Sequence, residues 1–169
     1  MKQLLSTGTL IFSVMCSGNL LAQGNYLSLG AGLLTFDLAP DSYEPVQFFG
    51  RLGHDYNDYF GLGAELGTSL IEDEINDTDY GATTTFLYAR GRIPIGNDSS
   101  LYAMFGATRV ELTVSSGSSS SSADDDDVGF GFGYETRLDS YHLFIDYVSY
   151  YDDEDIEVSS VNIGLNGYF

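Results

Sequence analysis

Val128-Gly129-Phe130-Gly131-Phe132-Gly133-Tyr134-Glu135-Thr136-Arg137 alternates with a period of two. Val128, Phe130, Phe132 and Tyr134 share one side of an extended strand, and Gly129, Gly131, Gly133, Glu135 and Arg137 share the other, because successive strand side chains point to opposite faces. The same rhythm, broken by turn residues, recurs in 25–37, 45–54, 58–70, 79–94, 100–114, 140–151 and 157–169, which with 128–137 makes eight segments. Most approach or exceed the roughly nine to eleven residues that a tilted strand needs to cross hydrocarbon. Strands of a soluble sandwich are usually shorter, about five or six residues.

The connections carry a second pattern. The first, third, fifth and seventh (38–44, 71–78, 115–127 and 152–156) are rich in acid or serine, whereas His54-Asp55-Tyr56-Asn57-Asp58, Ile95-Gly96-Asn97-Asp98-Ser99 and Leu138-Asp139 are compact. Long loops outside and short turns inside are the habit of bacterial outer-membrane barrels. The expected fold is therefore all-β, an eight-stranded antiparallel up-and-down transmembrane β-barrel with both termini on the periplasmic side. Ser115–Asp127, a serine run followed by four aspartates, has nothing apolar to bury and is expected to be a disordered outer loop.

Charge placement follows from strand parity. Arg51, Arg90, Arg92, Arg109 and Arg137 all fall within strands, on the face opposite the apolar one. A cation on the lipid face at mid-membrane costs about 2–4 kcal/mol, so these groups belong inside. Seventeen of the twenty-five acids lie in or beside the four long connections. Glu65, Glu111, Glu135 and Asp146 remain to meet Arg51, Arg90, Arg92 and Arg109 in an interior charge network. Gly30, Gly32, Gly61, Gly63, Gly67, Gly129, Gly131 and Gly133 also point inward, making room for Phe49, Phe86, Tyr88, His142 and Phe144 in a bore only wide enough for side chains. Tyr26, Tyr59, Phe60, Tyr102, Tyr141 and Tyr168 at one set of strand ends, and Phe36, Tyr43, Tyr80, Tyr150 and Tyr151 at the other, are expected to form two interfacial girdles.

Residues 1–22 read as an export signal, with Lys2, then Leu4, Leu5, Leu10, Ile11, Phe12, Val14 and Met15, then Ala22. That leaves 23–169 as a single barrel domain. Cys16, the one cysteine, falls in the signal. The formal charge of −19 becomes −20 once Lys2 is removed, which argues against nucleic acid and against adsorption to anionic lipid through a basic face.

The last segment ends Asn162-Ile163-Gly164-Leu165-Asn166-Gly167-Tyr168-Phe169. It resembles the C-terminal assembly signal of outer-membrane barrels, with Asn162, Gly164 and Phe169 in place and Gly167 where a hydrophobic residue is usual. With the export signal and eight strands, the whole of 23–169 resembles the OmpA/OmpX-type family of small barrels. The resemblance implies outer-membrane lipid and lipopolysaccharide as surroundings, the barrel assembly machinery as a partner during biogenesis, and a monomer. It leaves the activity open among structural proteins, adhesins, resistance factors and lipid-modifying enzymes.

The residues favour no enzyme, cofactor or metal centre. Asp139, Ser140 and His142 are close in sequence, but the set faces inward at the end opposite to where a lipid-A-modifying barrel places its own. Gly61, Gly63 and Gly67 have the wrong spacing for a dinucleotide, and Asp77-Thr78-Asp79-Tyr80-Gly81 lacks an oxygen ligand for calcium. The acidic loops Glu72-Asp73-Glu74, Asp124–Asp127 and Asp152-Asp153-Glu154-Asp155 could hold divalent cations weakly. The expectation is a non-enzymatic barrel with a structural or surface-interaction role; a lipid-A-modifying enzyme and a small ion-conducting pore are the alternatives.

Overall fold

The computed structural model describes residues 24–38, 41–71, 73–75, 78–116, 119–153 and 156–169. The export segment 1–22 lies outside these residues, as do Glu72, Asp77, Glu154 and Asp155 of the acidic connections.

Eight long strands form the wall: β1 (Asn25–Leu38), β3 (Val46–Asp55), β4 (Phe60–Ile71), β6 (Thr78–Ile95), β7 (Ser99–Ser116), β8 (Ser119–Leu138), β9 (Tyr141–Asp153) and β10 (Ile156–Tyr168). Two short ones, β2 (Asp41–Tyr43) and β5 (Asp73–Ile75), fold back onto β1 and β6. Each long strand is antiparallel to its sequence neighbours, and β10 pairs with β1 from Tyr168↔Tyr26 to Ile156↔Leu38, closing the barrel. Phe169 adds a bond past the last pair, its N–H donating to the Asn25 carbonyl at 2.9 Å.

Asn25, Tyr168 and the short turns lie at one end, the long connections at the other. The tightest turn, Asp139-Ser140, joins the pair Leu138↔Tyr141 and needs a left-handed first residue; Asp139 supplies φ of 56°. β3 runs one residue into the expected first turn, so Asp55 is a buried strand residue.

The alternation separates two solvents. Leu29, Leu66, Ile93 and Phe105 point outward with more than 60% of their surface exposed, whereas the neighbouring Ser28, Glu65 and Met104 are at most 2% exposed. Inside, large groups lie over glycine. The Tyr26 and Tyr88 rings fill the space a side chain at Gly63 would take, Phe49 lies over Gly30, and Tyr102 over Gly133.

Three expectations are corrected. The described residues of Ser115–Asp127 are strand and not loop: β7 continues to Ser116 and β8 begins at Ser119, paired from Ser116↔Ser119 inward. Continuing an ordered ladder requires backbone partners rather than apolar side chains, and Arg109 pins the register by binding Asp124 and Asp126 across the strands.

Second, Arg109 and Glu111 are not interior. Both are exposed on the outer face of β7, whose inward residues are Tyr102, Met104, Thr108 and Val110. Alternation could not choose, because Leu101, Ala103, Phe105 and Ala107 on the other parity are equally apolar. The eighteen-residue strand outruns the hydrocarbon, and its charged outer face lies on the overhang.

Third, the girdles are thinner than expected. Tyr59, Phe60 and Tyr141 are exposed, but Tyr26, Tyr102, Phe36 and Tyr150 are buried in the lumen, and the Tyr168 hydroxyl also points there. The Tyr102, Tyr150 and Tyr168 hydroxyls donate to Asp146, Glu65 and Glu135, the Tyr26 hydroxyl pairs with that of Tyr88, and Phe36 joins the apolar core.

Candidate functional site

The lumen is filled in three layers. The central one is built around Arg51 of β3. Strand register places Arg51 directly opposite Glu65 of β4, and its Nε donates to Glu65 Oε2 at 2.5 Å. The other end of the fork crosses the bore to Asp146 of β9, with Nη2 to Oδ1 at 3.1 Å and Nη1 to Oδ2. One guanidinium thus serves two carboxylates, as the planar fork allows. Phe49 and Phe144 flank it, with ring centres 4.7 and 4.9 Å from the guanidinium carbon.

Neutral donors complete both acids. Tyr150 Oη donates to Glu65 at 2.5 Å, Tyr102 Oη to Asp146 at 2.6 Å, and Asn162 Nδ2 to Asp146 at 2.9 Å. Arg51, Glu65 and Asp146 are each no more than 4% exposed. Unpaired charges at such depth would cost several kcal/mol apiece, so the donors stabilise the arrangement rather than decorate it.

The second layer lies toward the termini. Arg90 donates to both Asp55 oxygens at 2.8 and 2.7 Å, and its guanidinium lies 4.3 Å from the centre of the Tyr26 ring. Arg92 bridges Asp55 Oδ2 and Glu135 Oε1, each at 2.9 Å. Ser100 and Asn166 donate to Glu135 at 3.0 and 2.9 Å. With its side chain 15% exposed, Arg92 is the member of this layer nearest the mouth.

The third layer, toward the long connections, is apolar: Leu34, Phe36, Ala82, Val110, Val148 and Val158 pack together at 5% exposure or less.

Of the residues expected in the interior network, the structure thus brings together Arg51, Glu65 and Asp146 in one layer and Arg90, Arg92 and Glu135 in another, while Arg109 and Glu111 stand outside. Sequence reasoning missed Asp55. The odd-numbered parity of Phe49, Arg51 and Gly53 already pointed to it, but the turn composition around it masked the signal. The two layers hold three arginines and four carboxylates, among them Asp55.

Asn162 and Gly164 of the expected assembly signal face the lumen, Asn162 on Asp146 and Gly164 under the Phe144 ring. Phe169 is 62% exposed. His142 stacks edge-on to Tyr168 with ring centres 4.8 Å apart, while Asp139 and Ser140 are exposed at the turn. Among the described residues, no group of three or more His, Cys, Asp or Glu side chains is placed to hold a metal ion.

Residues 5–169 match the family model described as outer membrane protein beta-barrel domain. No curated protein matches the chain in sequence. Among solved structures, the chain is similar to Ail, the attachment invasion locus protein of Yersinia pestis, at 18% identity and TM-score 0.68, covering 87% of this chain and 99% of that one. It is also similar to Neisserial surface protein A, at 14% identity and TM-score 0.73 over 86% and 97%. The N-terminal β-barrel domain of Pseudomonas aeruginosa OprF matches at 15% identity and TM-score 0.65 over 87% and 98%.

Proposed function

Because this chain belongs to the outer membrane protein beta-barrel domain family, we propose that it is a non-enzymatic outer-membrane barrel with a plugged bore, acting as a structural or surface-interaction protein. The observation that carries this reading is the lumen itself: two polar layers and one apolar layer stacked along it, with Arg51, Glu65, Asp146, Phe86 and Val148 all at 4% exposure or less. An eight-stranded barrel has diameter only for side chains, and a packed network of this kind leaves no continuous water column.

In this reading residues 1–22 are removed on export. The termini and short turns face the periplasm, and the long connections face outward. Asn162, Gly164 and Phe169 guide assembly by the barrel assembly machinery, and the mature protein is a monomer in lipid and lipopolysaccharide.

The outer rim sets what the surface can meet. One structure of Ail holds the heparin analogue sucrose octasulfate. This chain, at a formal charge of −19 with Asp124, Asp125, Asp126 and Asp152 exposed at that end, repels such polyanions. Its rim favours cationic partners, or lipopolysaccharide bridged by weakly held divalent ions.

The test is electrical and chemical together. Purified protein in planar bilayers should show no stable conductance, and lipid A from cells lacking or overproducing it should have the same mass. Reproducible channels would replace this reading with the small pore, and a new lipid A species with the enzyme.

A further inference from the structure

Among the described residues, the β8–β9 ladder ends well short of the outer ends of both its strands. β8 and β9 pair from Leu138↔Tyr141 to Phe130↔Ser149 and stop. Beyond that point β8 stays paired to β7 as far as Ser119, and β9 to β10 as far as Asp153. Side chains span the gap instead: Tyr151 Oη donates to Asp125 at 3.0 Å, and the Asp152 N–H to Asp127 at 3.3 Å.

Behind these lips lies a cavity of about 130 Å³, lined by Val110, Leu112, Tyr151, Ile156 and Val158, with Asp124 and Asp125 at the rim. Its floor is continuous with the apolar layer, since Leu112, Tyr151 and Ile156 pack against that cluster. A dry apolar cavity of about 150 Å³ takes up benzene, so this one suits a single ring or a short alkyl group.

Charge selects the head group. Arg109 pairs with Asp124 and Asp126. Asp125 instead accepts neutral donors, the Tyr151 hydroxyl and the Asp126 N–H at 2.9 Å. A ligand cation at the rim would meet the Asp125 carboxylate and the adjoining phenol ring, whereas an anionic head group would be repelled by four consecutive carboxylates.

We propose that the β8–β9 seam binds a small amine-bearing amphiphile, its apolar group in the Val110–Leu112–Ile156–Val158 cavity and its ammonium on Asp125. The site does not depend on which compartment this end of the barrel faces.

The test uses the full-length protein in nanodiscs of zwitterionic lipid, with n-hexylammonium as the probe and hexanoate as its anionic counterpart, followed through the NMR shifts of Val110, Leu112 and Tyr151. Hexylammonium should give saturable shifts and hexanoate none. Asp125→Asn should weaken binding about fivefold, the upper end for an exposed ion pair. Leu112→Phe, which fills the cavity, should abolish it, and Asp139→Asn at the opposite end should change nothing. Asp125 is exposed, so its variant leaves the fold intact. Linear, non-saturating shifts, equal binding of hexanoate, or indifference to Asp125→Asn would each overturn the proposal.

Discussion

Arg51 shows how much a single residue can carry. Its fork is shared by Glu65 and Asp146, both sealed from solvent, so removing it strands two carboxylates at once. Arg51→Ala should therefore destabilise the barrel by about 3–5 kcal/mol, the usual cost of an uncompensated buried charge, read as a drop in the denaturant midpoint of the folded band. Arg109→Ala should shift the same midpoint by less than about 1 kcal/mol, because that side chain is 46% exposed and its partners are solvated. Between these lies Tyr102→Phe, which removes one donor from Asp146 and leaves Arg51 in place; about 1–3 kcal/mol is expected. The sequence showed both arginines as inward strand charges. It could not rank them, because burial depends on which of two apolar parities of β7 turns inward.

At the scale of elements, the overhanging β8 poses the problem every unpaired edge poses. Its outer half has β7 on one side and no ladder on the other. The aspartates occupy that free side: Asp125 accepts the Asp126 N–H at 2.9 Å and Asp127 the Val128 N–H at 2.7 Å. Charged, self-capped edges resist pairing with other chains. Replacing Asp124 to Asp127 together with serine should leave the barrel folded and heat-modifiable on gels. It should also make the purified protein self-associate, as measured by sedimentation in detergent; persistence as a monomer would show that the acids do not guard the edge. The opposite end of the wall depends on β10. Deleting Phe169 removes the last tie to Asn25 and the aromatic end of the terminal strand, and should lower the yield of assembled barrel far more than deleting 117–118 does.

For the whole molecule, topology is the accessible test. With the long connections outside, a protease that cleaves after acidic residues should nick intact cells near Asp152 and leave the turns at 96–98 and 139–140 untouched. Cleavage first at those short turns would invert the barrel. The polarity of the bore runs the same way, with charged layers nearer the termini and an apolar layer nearer the long connections. That apolar layer is the end at which the seam opens.

Eight strands, their order and closure, the compact turns and, outside β7, the outward apolar belt were legible in the sequence, because each rests on local alternation and turn chemistry, which two neighbouring residues are enough to express. Arg51, Arg90 and Arg92 share the inward parity of their strands through the same alternation. Tertiary structure alone decided what lies across the bore. Asp146 reaches Arg51 from β9, Asp55 joins Arg90 and Arg92 from what looked like a turn, and four tyrosines assigned to the girdles turn inward to serve this polar interior. Those contacts depend on strand stagger and on which glycines open space for which rings, and both are set only when β10 closes on β1. The Ser–Asp tract divides the two kinds of information most clearly. Its composition describes a chain with nothing to bury, while its described residues belong to the paired ends of β7 and β8, because a neighbour already in place asks only for backbone partners and a register.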